Sequence, residues 1–168
     1  MGLPEREEGD GKVVWIGSAH DQIVPFVEDY IVGVSSKIRD LVSGGDQQRD
    51  EKGRRMLIID ERLENKDGTQ LTLEPLTRIA EWVRHHAAQE PPEPEKPLRS
   101  NDMHQVCDDP WDADFVDALT RQQLYELILN AQILGIKSLV ALGCAKIAAL
   151  IKGQPIEQIR QILAPNPQ

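Results

Sequence analysis

Aromatic side chains are scarce in this chain of 168 residues: three Trp, two Tyr and two Phe make up 4% of it. Any core must therefore be built mainly from aliphatic groups. Two cysteines, Cys107 and Cys144, are too few for a disulfide framework. No apolar run approaches the roughly 18–20 residues that a membrane span needs. The opening M-G-L-P-E-R-E-E-G-D is acidic and lacks the apolar centre of a secretion signal. Its Met-Gly start is a poor myristoylation match, because Arg6 stands where Ser or Thr is expected. Positive charge is also short. A net charge of −9 argues against nucleic acid, whose phosphates need a cationic surface. These absences favour a soluble cytoplasmic or nuclear protein, with neither nucleic acid nor membrane as a partner.

The motifs of catalysis are missing too. There is no Gly-x-Ser-x-Gly elbow, no phosphate-cradling glycine loop and no Gly-x-Gly-x-x-Gly. Nucleophilic catalysis needs a nucleophile, a base and an orienting group. Cys144 lies in A-L-G-C-A-K-I-A-A, where a small buried or interface cysteine is the simpler account. A catalytic role would need Cys144 or Cys107 beside a histidine. Among metal-ligand candidates, His85 and His86 are adjacent, and neighbours on a helix point about 100° apart, which makes a shared ion awkward. His104 and Cys107 have a tolerable spacing but no second tight pair, while tetrahedral zinc needs four ligands. We expect no catalytic residue, no cofactor and no metal.

What the chain does have is a tail of apolar helices. Between Leu124 and Leu134 the strongly polar residues are Glu126, Asn130 and Gln132. Residues 136–151 offer only Lys137, Ser138 and Lys146 for a wet face. A helix apolar nearly all round must be covered on several sides, and a chain of this size buries only about two-thirds of its unfolded surface. Some of that tail is therefore expected to meet another protein. Charge is segregated along the same line. Residues 119–168 hold five Lys or Arg against two Asp or Glu, so the negative charge resides in residues 1–118.

The earlier part mixes strand and helix signals. Short strands are expected over residues 12–17 and 22–27, joined by S-A-H-D. Helical periodicity follows, with Ile38, Leu41 and Val42 on one face and Ser35 as a cap for a second short helix. Residues 43–55 are charged and contain glycine, which predicts a disordered loop. M-L-I-I-D (56–60) has the composition of a buried strand, and 70–73 of a further short one. A helix is expected over 74–86, with Pro75 in its first turn. Four prolines among acidic residues then make 89–98 a stiff, extended linker. Beyond it come a short helix around 111–117, a helix capped by Thr120 and stopped by Gly135, one over 136–151, and a last one opened by Pro155. Strands first and helices afterwards indicate an α+β fold with a helical tail.

The tail then becomes recognisable. W-D-A-D-F (111–115), L-Y-E-L-I-L-N-A (124–131), G-I-K-S-L (135–139), C-A-K-I-A-A-L-I-K-G (144–153) and I-E-Q-I-R (156–160) resemble the Skp-type adaptor subunit of SCF ubiquitin ligases, which links cullins to F-box proteins. The resemblance is strong over 110–163 and weaker over 12–86, where the helix ending E-W-V-R-H-H and the acidic proline-rich linker are shared. It implies a POZ-type α+β domain over 12–134 and a C-terminal helical F-box-binding extension over 135–163, with flexible termini at 1–11 and 164–168. It also implies a non-enzymatic adaptor with an F-box protein and a cullin as partners. By position, the F-box-facing residues would be Leu124, Tyr125, Ile128, Val140, Cys144, Ile147, Ile151, Lys152, Ile159 and Leu163.

Three departures stand out. The family's K-G-K-T-P-E-E-I-R is K-G-Q-P-I-E-Q-I-R here, which moves the proline one position earlier. The usual Asn-Tyr pair is Gln132-Ile133, on a part of the family surface associated with the cullin. Family members usually continue into an acidic, Trp-containing segment, whereas this sequence ends at Gln168. Two rivals follow: an elongin-C-like POZ adaptor for a different box motif, against which the long helical tail speaks, and a self-associating protein that buries the same helices in a homodimer when unpartnered.

Overall fold

Residues 12–45, 48–59 and 70–164 are described in the computed structural model. The expected flexible segment 1–11, residues 165–168 of the one expected over 164–168, the end of the strand expected over 56–60, and the polar stretch 64–69 lie outside the described residues.

Alternation of apolar side chains builds the first hairpin. Strands β1 (Val13–Ala19) and β2 (Gln22–Val27) pair antiparallel, and Val14, Ile16, Val24 and Phe26 are buried. Near the turn only glycine fits at position 17, because a Cβ there would lie 1.8 Å from the Gln22 carbonyl oxygen. Pro25 interrupts donation to a ladder, and β2 accordingly lies at an edge of the sheet, where proline is tolerated.

The helical stretch that follows divides in two. Helix α1 (Glu28–Val34) and helix α2 (Ser36–Ser43) flank Ser35. As expected, the Ser35 hydroxyl caps α2, accepting from the Ile38 amide at 3.1 Å. It also donates to the carbonyl of Leu134, ninety-nine residues away.

The described part of the charged loop is more ordered than its composition predicts. It contributes β3 (Gln48–Arg49), antiparallel to β4 (Arg55–Ile58), which in turn runs parallel to β1. The sheet order is β2-β1-β4-β3. The turn is fastened by Asp50, whose carboxylate accepts from the amides of Lys52 (3.0 Å) and Arg54 (2.7 Å) and from Arg54 Nε (2.5 Å). The Arg54 guanidinium also sits over the Trp15 ring, 4.5 Å from its centroid. Local carboxylate-to-backbone bonds of this kind order a segment that composition alone marks as solvated.

The strand expected over 70–73 is absent. Leu71 is buried, and the Thr72 amide donates to Asn130 Oδ1 at 3.0 Å instead of to a strand. Helix α3 (Leu73–His86) then starts, burying Leu76, Ile79, Trp82 and Val83. The third principal strand is thus β4.

After the proline-rich segment comes a short helix that the sequence did not suggest, α4 (Met103–Val106). Helix α5 (Pro110–Asp117) is capped by Asp109, which accepts from the Trp111 amide. Thr120 and Gln123 form a reciprocal capping box on α6 (Arg121–Leu134), and Gly135, at φ +67°, ends it. Helices α7 (Lys137–Ile151) and α8 (Ile156–Leu163) follow. Four strands and eight helices among the described residues make the fold α+β, as expected.

One aliphatic core runs through sheet and tail: Ile16, Ile38, Leu76, Trp82, Leu127, Leu134, Leu139 and Leu142 belong to a single buried cluster. Helices α6 and α7 meet closely because position 143 is glycine; a Cβ there would lie 2.4 Å from Ile128 Cγ1. Ser35→Ala should lower stability by about 2 kcal/mol, losing a helix cap and leaving the Leu134 carbonyl without its buried partner. Urea unfolding measures this, and an unchanged midpoint would contradict the role given to Ser35.

Candidate functional site

The last two helices differ sharply in how they are covered. Helix α7 buries Leu139, Leu142, Ala145 and Ala149, whereas α8 has no buried residue. Its Ile156 is 64% exposed and its Leu163 55%. With Ile159 and Ile162 they make an apolar stripe at helical spacing. The stripe is held in place from its polar end. The Tyr125 hydroxyl donates to the Ile162 carbonyl, and Arg121 Nη1 donates to the Gln161 carbonyl at 3.1 Å. These are last-turn carbonyls with no partner inside their own helix, so α6 supplies the C-terminal capping that α8 lacks.

The ten residues expected to face a partner fall into three groups. Cys144, Lys152 and Leu163 are exposed, and Tyr125, Ile128, Val140, Ile147, Ile151 and Ile159 are half-buried. Leu124 is 1% exposed, a correction to its expected outward role: it is sealed within this protein. Ile128 also spends part of its side chain internally, against Gly143, and Val140 packs on the core. Three apolar exposures went unnamed in the sequence, Leu129 on α6 (43%), Ile156 and Leu73 (45%). The Ile156, Ile159, Leu163 spacing was the available signal for the second. Gln132 is exposed and Ile133 half-buried against the core, at the end of α6 where α2 docks.

A second locus lies where α3 ends. The Asp112 side chain, 6% exposed, accepts from Trp82 Nε1 at 3.1 Å and contacts His86 Nε2 at 2.8 Å. His85 Nε2 lies 2.7 Å from Asp109 Oδ2. The His85 ring stacks on Trp111, with centroids 4.1 Å apart and planes within 7°, and Trp111 stacks on Phe115. His85 and Trp111 Nα–H together hold the Asp109 carboxyl below its ordinary range. The expected divergence of His85 and His86 does not occur, since their ring centroids are 4.9 Å apart. Both side chains are drawn toward carboxylates of one helix start, Asp109 and Asp112.

Beside this cluster, a cavity of about 530 Å³ is lined by His86, Leu98, Cys107, Asp112, Ser138 and Leu142. Burial, reinforced by Asp112 and neighbouring carboxylates, pushes the Cys107 thiol up to about 11. A thiol so disposed is a poor nucleophile at neutral pH. His104 turns to carboxylates: Asp114 at 2.7 Å, Asp102 at 3.5 Å and Asp117 at 3.7 Å.

The chain is 44% identical over 88 residues to the S-phase kinase-associated protein 1 homolog of Tetrahymena thermophila, 52% of each chain. It is 34% identical over 86 residues to the E3 ubiquitin ligase complex SCF subunit sconC of Arthroderma otae, 51% of each. Identity to the Skp1-related protein of Caenorhabditis elegans is 30% over 115 residues, 62% of each. The chain spans about half the length of the first of these curated relatives. No family model matches it. The resemblance to Skp-type subunits is thus shown over that shared half.

Two predictions follow from this geometry. Tyr125→Phe should speed amide exchange in α8 several-fold while α3 stays protected; equal protection of α8 would mean that the hydroxyl bond is not what holds it. The Asp114 hydrogen bond raises the His104 pKa above its ordinary 6.5. The ion pair between α4 and α5 is therefore fully present below pH 6.5 and fades as pH rises through the raised value. An NMR titration of His104, with Asp114→Asn lowering its pKa toward the ordinary value while Asp102 and Asp117 remain, checks the direction.

Proposed function

We propose that this chain is a non-enzymatic adaptor of an SCF-type ubiquitin ligase, with α7 and α8 receiving the F-box of a substrate receptor and the sheet-bearing part docking on a cullin. The observation behind it is the uncovered apolar face of α8 beside exposed Cys144 and Lys152. An amphipathic helix laid against such a face is a common mode of peptide recognition. Each Å² of apolar surface removed from water there is worth about 25 cal/mol before association costs. The names of the relatives, Skp1-related protein and SCF subunit, support the same assignment. The adaptor would work by raising the effective concentration of a bound substrate near the ligase's catalytic partner.

Cullin docking rests on Gln132 and Ile133, of which Gln132 offers the accessible side chain. On this reading the cullin would meet the 12–134 part, and the F-box mainly the 135–163 extension, with Tyr125 and Ile128 of α6 beside it. Two unpaired cysteines suit a reducing compartment, the cytoplasm or nucleus.

Isothermal titration with an F-box domain tests the proposal. The unaltered chain should bind at micromolar concentration or tighter. Leu163→Asp, on an exposed residue, should weaken binding about tenfold, and Ile147→Asp with Ile151→Asp about a hundredfold. Absence of binding by the unaltered chain sinks the F-box assignment, and a stable dimer indifferent to added F-box would favour self-association. Full affinity in the Leu163→Asp chain would move the site away from α8.

A further inference from the structure

The convergence of His85, His86 and Asp109 has a chemistry that the adaptor function does not use. Their candidate donor atoms, one from each residue, all lie within 4.8 Å of one another. Two imidazoles and one carboxylate form a donor set of the kind that zinc takes in open sites, with remaining positions left to water. Mg²⁺ and Ca²⁺ prefer all-oxygen shells and fit less well. We propose that His85, His86 and Asp109 bind a zinc-class divalent cation.

Three features favour this over a chance meeting of polar groups. First, the ligands come from separate rigid elements: both histidines from the last turn of α3, and Asp109 from the cap of α5. Second, orientation is supplied in advance. Asp112 gives His86 the carboxylate partner that metal-bound histidines commonly have, and the Trp111 stack fixes the plane of the His85 ring. Third, the site opens to solvent through His85, which provides an entry path for the ion. Donors around one zinc at about 2.1 Å sit about 3.4 Å apart, so the widest pair has to close by no more than about 1.4 Å. That is within the reach of small side-chain shifts, above all of the Asp109 carboxylate. The 2.7 Å contact between His85 and Asp109 would open slightly to admit the ion.

The consequence is structural. A cation here joins the end of α3 to the start of α5, closing the proline-rich span of residues 87–108 into a loop. It would tie the sheet-bearing part to the helical tail at the surface, directly above the buried Asp112 contact.

The test uses the full chain, stripped with a chelator and then titrated with Zn²⁺ against a chromophoric competitor, and separately with Co²⁺ followed by visible absorption. One zinc per chain should bind, and the melting temperature should rise by about 5 °C at a hundredfold excess over Kd. His85→Gln and Asp109→Asn should each weaken binding at least tenfold; Asn keeps the α5 cap, so a folding defect does not obscure the result. His104→Gln should leave affinity unchanged, although His104 also lies among carboxylates. The proposal is overturned if the chain binds no Zn²⁺ at 100 µM (roughly the weak limit for a three-ligand site), or if His85→Gln and Asp109→Asn leave affinity intact.

Discussion

A single buried carboxylate joins the two parts of this protein. Asp112 takes the indole N–H of Trp82 and a ring nitrogen of His86, both on α3, which packs against the sheet. Its own helix, α5, packs against α7. A charge taken out of water is costly unless its lone pairs are satisfied, and breaking such a contact costs more than the contact contributes. The sheet and the tail are therefore not beads on a string. Ser35 to Leu134 and Thr72 to Asn130 repeat the device elsewhere, each crossing from the early part of the chain to α6.

That shared core explains why only part of the tail is available to a partner. The apolar sides of α6 and α7 are largely consumed by α3, α5 and one another, with Gly143 allowing the close approach. What remains open in the tail includes the stripe on α8, Leu129 on α6 and the edge of α7 near Cys144. Helix α8 is retained by two bonds to its terminal carbonyls and a few apolar contacts, so it presents a surface without being part of the interior. A short helix of that kind can adjust to a partner without disturbing the buried cluster.

The acidic, proline-rich span between α3 and α5 also has a structural place. Its two ends are brought together by the stacked rings of His85, Trp111 and Phe115 and by the Asp109 and Asp112 contacts. The same contacts gather the nitrogen and oxygen donors proposed to hold a cation. Rigid ends and a stiff intervening segment keep the closure entropy of this long connection low.

Much of the architecture was legible in the residues. Alternating Val14, Ile16, Val24 and Phe26 specify a hairpin, and Ser35, Thr120 and Gly135 mark helix ends, because caps and alternation act over a few residues. Composition misled at Asp50, whose hydrogen bonds to Lys52 and Arg54 order a turn that looked merely charged, and at residues 70–73, where the partner is Asn130. The sequence by itself determined the α+β class, the approximate bounds of the longer helices though not the existence of α4, and the excess of apolar surface in the tail, all consequences of local periodicity and capping. Only the tertiary structure decided that Leu124 is sealed while Leu163 is open, and that His85, His86 and Asp109 meet. Those outcomes depend on which elements pack together, and contacts between residues far apart in the chain leave no mark in local spacing.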